Sequence, residues 1–290
     1  VGSNTITRKL KQEGISVNER TVRYHLKLAD ARGYTQSLGR GGRLLTDEGR
    51  REIKEALAER QLGSAVNRLK MLAYQTTFDP AKLTGRVPVN ISFIEKKDFR
   101  RALAIMKAVF QAGICVSDLV AVASEGERFG SVSVPFGKIG LATVCSVVVN
   151  GVLLKAGIPT EYRFGGMLEI KDSRPRRFVA IIDYGGTSLD PSEEFIRSHM
   201  TAVTDAVRAG DGKVLAVFRT IPLPAKPVAE KKIEALKKAG IGGVYALGGI
   251  NEPLLQIKLD VDRVGMVQLN GLNPVAAAAE AGINIDSHVA

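Results

Sequence analysis

The sequence has few of the residues that crosslink small extracellular proteins or bind metals. Its 290 residues include two cysteines, three histidines and no tryptophan, and aromatic residues make up only 6% of the chain. Two cysteines, Cys115 and Cys145, cannot build a disulfide framework. Because their neighbours are apolar, we expect two reduced thiols in a cytoplasmic protein.

Long apolar segments are also missing. The longest, residues 139–154, is interrupted by glycine and polar residues and falls short of the roughly 18 apolar residues of a membrane span. No signal-peptide pattern stands at the start, and we expect no membrane partner. The chain begins with Val1 rather than Met, inside what reads as a DNA-binding domain. We therefore expect a preceding segment of that domain.

Motifs of the common enzyme classes are absent. The histidines are far apart in the sequence, without cysteines or carboxylates at the spacing of a metal site. No Gly-x-Gly-x-x-Gly follows a predicted strand, and no Gly-x-Ser-x-Gly occurs. The sequence therefore predicts no enzyme, no metal and no cofactor. An enzyme domain with a nucleic-acid-binding appendage is the least favoured alternative.

Positive charge is what the sequence has in excess. The 41 Lys and Arg residues against 30 Asp and Glu leave a net charge of +11. A basic surface favours polyanionic partners through counterion release, although charge alone gives no sequence specificity. The length allows more than one domain.

The first part of the chain has the pattern of a helix-turn-helix. A predicted helix over residues 3–13, with Ser3 as its N-cap, is followed by a turn and by a second helix over 19–32, which Asn18 caps. Val22 and Leu26 lie on the buried side of this second helix, so its basic residues face outward. Two such helices, the second one basic near its start, are typical of proteins that enter the DNA major groove.

A basic glycine hairpin between two short strands, 34–38 and 43–45, follows as a wing, and Thr46 caps a third helix over 47–61. The arginines of helix and wing suit phosphates and guanine edges. The residues predicted to contact DNA are Asn18, Arg20, Thr21, Arg23, Tyr24, Lys27, Arg40 and Arg43. A winged helix that contacts protein instead is the alternative.

The rest of the chain has a different pattern. Residues 62–88 are predicted to be a connector, because glycine and proline break any periodicity. Residues 89–290 mix strands and helices, with strands and glycine turns dominating 114–182. This alternation indicates an α/β (α+β) domain, to which we assign effector binding and dimerisation.

A sequence pattern that occurs twice predicts that the second domain is duplicated. Residues 138–158 and 263–283 both end in Ala-Gly-Ile, and the helix before each also ends in Ala-Gly-Ile. In this interpretation Asn150-Gly151 corresponds to Asn270-Gly271, and a ligand cleft lies between the halves. The alternative is a chance coincidence.

Small polar residues interrupt the apolar run at 139–154. Buried polar groups are costly unless paired, so such residues mark either a pocket or a hydrogen-bonded core. An arginine and two glycines downstream could bind a carboxylate. The predicted effector-binding residues are Thr143, Cys145, Ser146, Asn150 and Arg163. Alternatively, Cys145 is a core residue and Arg163 a surface charge. The segment 183–186 reads as a turn that could also touch a ligand.

Together these segments resemble the NrpR family of nitrogen-regulation repressors. The resemblance lies in residues 18–26, 39–49 and 74–79, and above all in Thr143-Val144-Cys145-Ser146 with 150–159. It implies a homodimeric winged-helix repressor that binds an inverted-repeat DNA operator of nitrogen-assimilation genes and is released by 2-oxoglutarate. It also implies an effector role for Cys145. The other four predicted effector residues are inferred from position and chemistry.

One competing hypothesis keeps DNA binding but makes Cys145 a redox or electrophile sensor. Replacing Cys145 by serine separates the two hypotheses, because a thiol sensor loses its response to oxidants with the thiol.

Overall fold

The computed structural model describes residues 2–12, 17–53, 64–250 and 252–289. The chain divides into two units, Val1–Leu62 and Gly63–Ala290. Within the described ranges, no helix is long and apolar enough to cross a membrane.

The first unit is a winged helix. In chain order it contains α1 (Ser3–Gln12), α2 (Glu19–Ala31), β1 (Thr35–Ser37), a 3-10 turn (Gly39–Gly41), β2 (Arg43–Leu45) and α3, described over residues 47–53. The two strands pair antiparallel as the wing. The predicted turn at 13–16 and the predicted helix beyond residue 53 lie outside the described residues.

Side-chain caps set the helix starts of this unit. The backbone N–H of Thr21 donates to Asn18 Oδ1 at 2.8 Å, and that of Gly49 donates to Thr46 Oγ1 at 3.0 Å. Each cap satisfies a backbone donor that the first turn of a helix leaves unpaired. The predicted N-caps Asn18 and Thr46 are confirmed, whereas the predicted N-cap Ser3 is already the first residue of α1.

The second unit is a mixed α/β domain. Its helices are α4 (Ser64–Gln75), α5 (Phe99–Gln111), α6 (Val147–Lys155), α7 (Pro191–Arg197), α8 (Val203–Ala209), α9 (Lys226–Lys238) and α10 (Asn273–Glu280). Its strands are β3 (Val89–Glu95), β4 (Val120–Ala123), β5 (Arg128–Phe129), β6 (Val132–Ser133), β7 (Lys138–Val144), β8 (Glu161–Lys171), β9 (Arg174–Asp183), β10 (Gly212–Pro222), β11 (Val244–Leu247), β12 (Arg263–Leu269) and β13 (Ile285–Val289).

The sheet topology confirms the predicted duplication. The order β3-α5-β4-β7-α6-β8 recurs as β10-α9-β11-β12-α10-β13. The two main sheets have the orders β4-β7-β3-β13 and β11-β12-β10-β8-β9. The last strand of each repeat thus joins the sheet of the other, since β8 pairs with β10 and β13 pairs with β3. This exchange ties the two repeats into one domain.

The register of the duplication differs from the prediction. Val144 ends β7 opposite Val89, and Leu269 ends β12 opposite Ala216 in the second repeat. Cys145 and Asn270, the next residues, are therefore counterparts. The predicted match of Asn150-Gly151 with Asn270-Gly271 is wrong, because the first pair lies inside α6 and the second precedes α10.

Helices α4 and α6 lie where the sequence predicted a connector and a stretch of strands and turns. The predicted connector 62–88 contains α4, whose buried Ala65, Leu69 and Ala73 are spaced at four residues. Helix α6 lies in a stretch predicted as strands and turns. Its valines favour strands intrinsically, but the helix is buried almost all round, so tertiary packing decides its structure.

Candidate functional sites: a helix-turn-helix face and a buried cavity

Helix α2 exposes a basic face with one aromatic ring. Arg20, Arg23 and Lys27 are exposed, and Tyr24 keeps 60% of its surface in solvent. Arg23 forms an ion pair with Glu19 at 2.7 Å one turn earlier. Such an exposed pair is worth little, so Arg23 can exchange this partner for a phosphate.

The other residues predicted to contact DNA have structural partners. Asn18 and Thr21 form the cap of α2, with a second contact between the Thr21 hydroxyl and Asn18 Oδ1 at 3.0 Å. Arg43 holds the wing to α2 through an ion pair with Asp30 at 2.8 Å, and this bond lowers the pKa of Asp30. The side chain of Arg40 lies outside the described residues.

The second unit contains a small internal cavity at the junction of its two repeats. It has a volume of about 10 Å³, which is room for roughly one water molecule. The counterparts Cys145 and Asn270 both line it, as does another counterpart pair, Asn90 and Val217. The cavity therefore lies between the repeats, where the duplication predicts a cleft.

Arg219 lines this cavity from the middle of β10 and is fully buried. Its guanidinium lies 4.1 Å from the ring centre of Tyr162 and 4.9 Å from that of Tyr184. Neither its Nε nor its Nη1 has a hydrogen-bond partner, and it forms no ion pair with any described residue. Among the described residues, the two tyrosine rings and the Tyr184 hydroxyl contact the guanidinium, but no carboxylate forms an ion pair with it. A buried charge without a counterion destabilises a fold by several kcal/mol, so this arginine is unusual in a structural core.

A buried pair of amides adjoins the arginine. Gln268 Nε2 donates to Asn150 Oδ1 at 2.9 Å, which leaves Asn150 Nδ2 and Gln268 Oε1 without partners. Tyr162 lies between this pair and Arg219, because its ring stacks on the guanidinium and its hydroxyl approaches the Asn150 side chain without completing a hydrogen bond of normal geometry. The region thus offers a cation, an amide donor and an amide acceptor that the described residues do not satisfy.

Burial controls the ionisation of the residues at the cavity. It raises the pKa of the Cys145 thiol to about 11 and that of Tyr184 to about 12. The positive charge of Arg219 acts in the opposite direction on both pKa values, but its effect is smaller. Cys145 is therefore a protonated thiol near neutral pH. Reactive cysteines have a lowered pKa instead, which argues against the redox-sensor hypothesis.

Two of the five predicted effector residues, Cys145 and Ser146, line the cavity. Asn150 is bonded to Gln268 and lies near Arg219 through Tyr162. The Thr143 hydroxyl donates to the carbonyl of Gly271 at 2.9 Å and joins β7 to the loop before α10. Arg163 lies elsewhere, 40% exposed and paired with Asp260 at 2.9 Å.

Sequence reasoning missed Arg219, Gln268, Tyr162 and Asp190. The available signal was an arginine inside the apolar run 214–221, which reads as the end of a strand but lies in its middle. Tyr184, in the turn that was predicted as a possible ligand contact, lines the cavity. No group of three or more His, Cys, Asp or Glu side chains in the described ranges is arranged to hold a metal ion.

Comparison with known proteins assigns the family. A family model described as NrpR regulatory domains NRD1 and 2 matches residues 62–290. The chain belongs to the NrpR family. Residues 1–53 match the winged-helix domain of ribonuclease R, in agreement with the fold of the first unit. NrpR proteins are transcription regulators and not enzymes.

Archaeal relatives extend this similarity along the chain. The global nitrogen regulator NrpRI of Methanosarcina mazei is 38% identical over 288 residues, covering 99% of this chain and 88% of the relative. The global nitrogen regulator NrpR of Methanococcus maripaludis is 31% identical over 287 residues, which cover 99% of this chain but 49% of that protein. The chain thus spans about half the length of this second relative.

A solved structure supports the fold. The crystal structure of a nitrogen repressor-like protein from Methanococcus jannaschii has a TM-score of 0.65 to this chain and 30% sequence identity. The match covers 78% of this chain and 94% of the other.

Proposed function

We propose that this protein is a homodimeric repressor of nitrogen-assimilation genes, that it binds an inverted-repeat operator, and that 2-oxoglutarate releases it. The observation that carries the proposal is the combination of an exposed basic helix-turn-helix with a second unit of the NrpR regulatory type. The coarser role, nitrogen regulation, follows from the family.

The DNA-binding part rests on the outer face of α2. Arg20, Arg23 and Lys27 give this face its charge, and Tyr24 lies among them. In a helix-turn-helix the second helix enters the major groove with its N-terminal residues against base edges. We assign Arg20 and Arg23 to this contact and Lys27 to the phosphate backbone.

The effector part rests on the cavity between the repeats. A dicarboxylate needs a cation and hydrogen-bond donors in a site shielded from water. Arg219 and the Asn150 amide supply both, next to Cys145. The ligand releases the operator only if it prefers the protein state that binds DNA poorly, so its affinity must differ between the two states.

Operator binding under effector titration tests the proposal. Fluorescence anisotropy would follow the protein on a duplex from its own nitrogen-gene promoters, with glutarate as a matched ligand that lacks the oxo group. We expect 2-oxoglutarate to weaken binding at least about tenfold, within the usual range of allosteric coupling. An affinity unchanged at saturating 2-oxoglutarate would contradict the effector assignment.

Single substitutions on α2 test the DNA face separately. Lys27→Ala should weaken binding to all sequences and reduce the salt slope by about one ion, whereas Arg20→Ala should also relax sequence preference. Arg174→Ala, an exposed arginine of the second unit, is the matched control. Equal effects of all three variants would contradict the assignment of this face.

A further inference from the structure

We infer that Arg219 binds the carboxylate of a small organic anion, and that helix α4 is the lid that moves to admit it. The inference rests on the proposed function in taking this anion to be the effector. It adds the residue that recognises the anion and the element that responds to its binding.

The first support is that Arg219 is fully buried without a carboxylate partner. Its contact with the Tyr184 hydroxyl leaves two of its three nitrogen atoms, Nε and Nη1, without partners. Asp190 also lines the cavity, but it forms no ion pair with Arg219, and its Oδ1 accepts from the backbone N–H groups of Ser192 and Glu193 at the start of α7. A carboxylate from outside the chain is the chemistry that would satisfy the guanidinium.

The walls around Arg219 define the rest of the ligand. Leu69, Val147 and Val217 make part of the cavity apolar, which suits a short carbon chain. The free Nδ2 of Asn150 is a donor for a second oxygen, and the free Oε1 of Gln268 is an acceptor. These features favour a small carboxylic acid over inorganic phosphate, which has no apolar part.

The cavity is too small for such a ligand as it stands. A space of about 10 Å³ holds roughly one water molecule, so one wall must move before an organic acid can bind. Of the two helices that contribute side chains to the cavity, α4 and α6, α4 has fewer buried residues. It contributes Leu69 to the cavity, and its buried side consists of Ala65, Leu69 and Ala73.

The other face of α4 is open to solvent, with Met71 at 55% and Tyr74 at 66% exposure. The neighbouring wall, α6, is buried along almost its whole length. Displacing α4 therefore uncovers less apolar surface than displacing α6, and local opening favours elements with few buried contacts.

Tyr162 joins the recognition residue to the lid. Its ring stacks on the Arg219 guanidinium, and its hydroxyl donates to the Leu69 carbonyl of α4 at a long 3.4 Å. A carboxylate that bonds to Arg219 moves the guanidinium against the Tyr162 ring. This movement weakens the hydrogen bond from the Tyr162 hydroxyl to the Leu69 carbonyl of α4. Since α4 begins at residue 64, directly after the winged-helix unit, its displacement reaches the chain that leads to the DNA-binding unit.

Calorimetry on the full chain tests the recognition residue. We would titrate 2-oxoglutarate, succinate and inorganic phosphate into the wild type and into Arg219→Met, with Arg177→Met as the matched control. Arg177 lies in the same sheet, exposed and paired with Glu169. We expect Arg219→Met to weaken carboxylate binding at least thirtyfold, about what removing one partner of a buried charge pair does. The control should change affinity less than about twofold.

Wild-type affinity in Arg219→Met would overturn the inference and leave the proposed function standing. Succinate binding that depends on Arg219, without binding of 2-oxoglutarate, would support the inference and contradict the proposed effector. Tight phosphate binding would overturn the organic-acid assignment. Arg219→Lys keeps the charge, so its affinity for the carboxylate should lie between those of the wild type and Arg219→Met. If Arg219→Met does not fold, the affinity of Arg219→Lys tests the role of Arg219 instead.

Hydrogen exchange tests the lid. Saturating ligand should speed amide exchange in residues 64–75 at least about tenfold, because α4 opens, while exchange in β10 should slow or stay unchanged. Ligand binding without a change in residues 64–75 would overturn the assignment of α4 and leave that of Arg219 intact.

Discussion

Two clusters of buried polar groups in the second unit differ in how completely their hydrogen bonds are paired. In the second repeat, Asn273 bonds both backbone groups of Leu215, accepting from its N–H at 2.8 Å and donating to its carbonyl at 3.0 Å. Asn270 donates to Ser192 Oγ at 2.6 Å and accepts from the N–H of Leu272 at 2.9 Å. The cluster of Arg219 on β10, Asn150 on α6 and Gln268 on β12 joins the two repeats and keeps unpaired atoms instead.

We assign the paired cluster to the stability of the fold and the cluster with unpaired atoms to ligand binding. Paired buried groups specify a unique packing, whereas unpaired ones destabilise the fold until a partner arrives. One cluster can therefore stay structural while the other takes up a ligand. We expect the two clusters to respond to mutation in opposite ways.

The largest effect is expected at the structural cluster. Asn273→Ala removes two buried hydrogen bonds and leaves the Leu215 backbone groups unpaired, so the free energy of unfolding should fall by about 2–4 kcal/mol. Urea unfolding of the full chain measures it. Asn284→Ala, at an exposed position after α10, is the control. A loss of less than about 1 kcal/mol, close to the effect of a surface substitution, would remove the contrast between the two clusters.

A smaller effect is expected where α6 meets the end of α4. A Cβ on Gly151 would lie 2.4 Å from Thr76 Cβ, whereas the counterpart position in α10 already carries alanine, Ala276. Gly151→Ala should therefore destabilise the protein by about 1–3 kcal/mol through overpacking, although alanine is the better helix former. Thermal unfolding measures it, and an unchanged or raised midpoint would show that α4 is not packed against this glycine.

The Cys145 thiol should lose its proton only at high pH. Because burial raises the pKa of Cys145 to about 11, its alkylation rate in a Cys115→Ser background should keep rising about tenfold per unit from pH 8 to pH 10. The raised pKa also means that the protonated thiol stabilises the fold, and that this contribution is lost as pH rises from about 8.5 towards 11. A rate that levels off near pH 9 would revive the redox-sensor hypothesis.

The smallest effect is expected at Arg163. Its exposed ion pair with Asp260 should contribute at most about 0.5 kcal/mol. Arg163→Met should thus leave both the free energy of unfolding and the calorimetric affinity for 2-oxoglutarate close to wild type. A strong loss of affinity would transfer the recognition role from Arg219 to Arg163.

Local chemistry made the winged helix predictable. A cap needs one side chain and a backbone donor two or three residues later, and both Asn18 and Thr46 carry that information in the sequence. The polar segment around Cys145 was predictable for a related reason, since polar residues inside an apolar run must find partners or a ligand.

Arg219 and α6 were not predictable, because their structure depends on distant parts of the chain. An arginine after five apolar residues reads as the end of a strand, and only the pairing of β10 with both β8 and β12 shows that it is central. The valines of α6 favour strands until the surrounding sheets and α4 bury the helix. The register of the duplication likewise needed the strand pairing.

The central claim is that the unpaired Arg219 cluster lowers the stability of the ligand-free protein and that a bound anion pairs it. Thermal unfolding of the wild type and Arg219→Met, with and without saturating 2-oxoglutarate, tests it most directly. Without ligand the variant should be more stable by about 1–4 kcal/mol, because a buried unpaired charge is gone, and with ligand the wild type should gain stability while the variant does not. If Arg219→Met is less stable without ligand and gains as much as the wild type with it, the claim is contradicted.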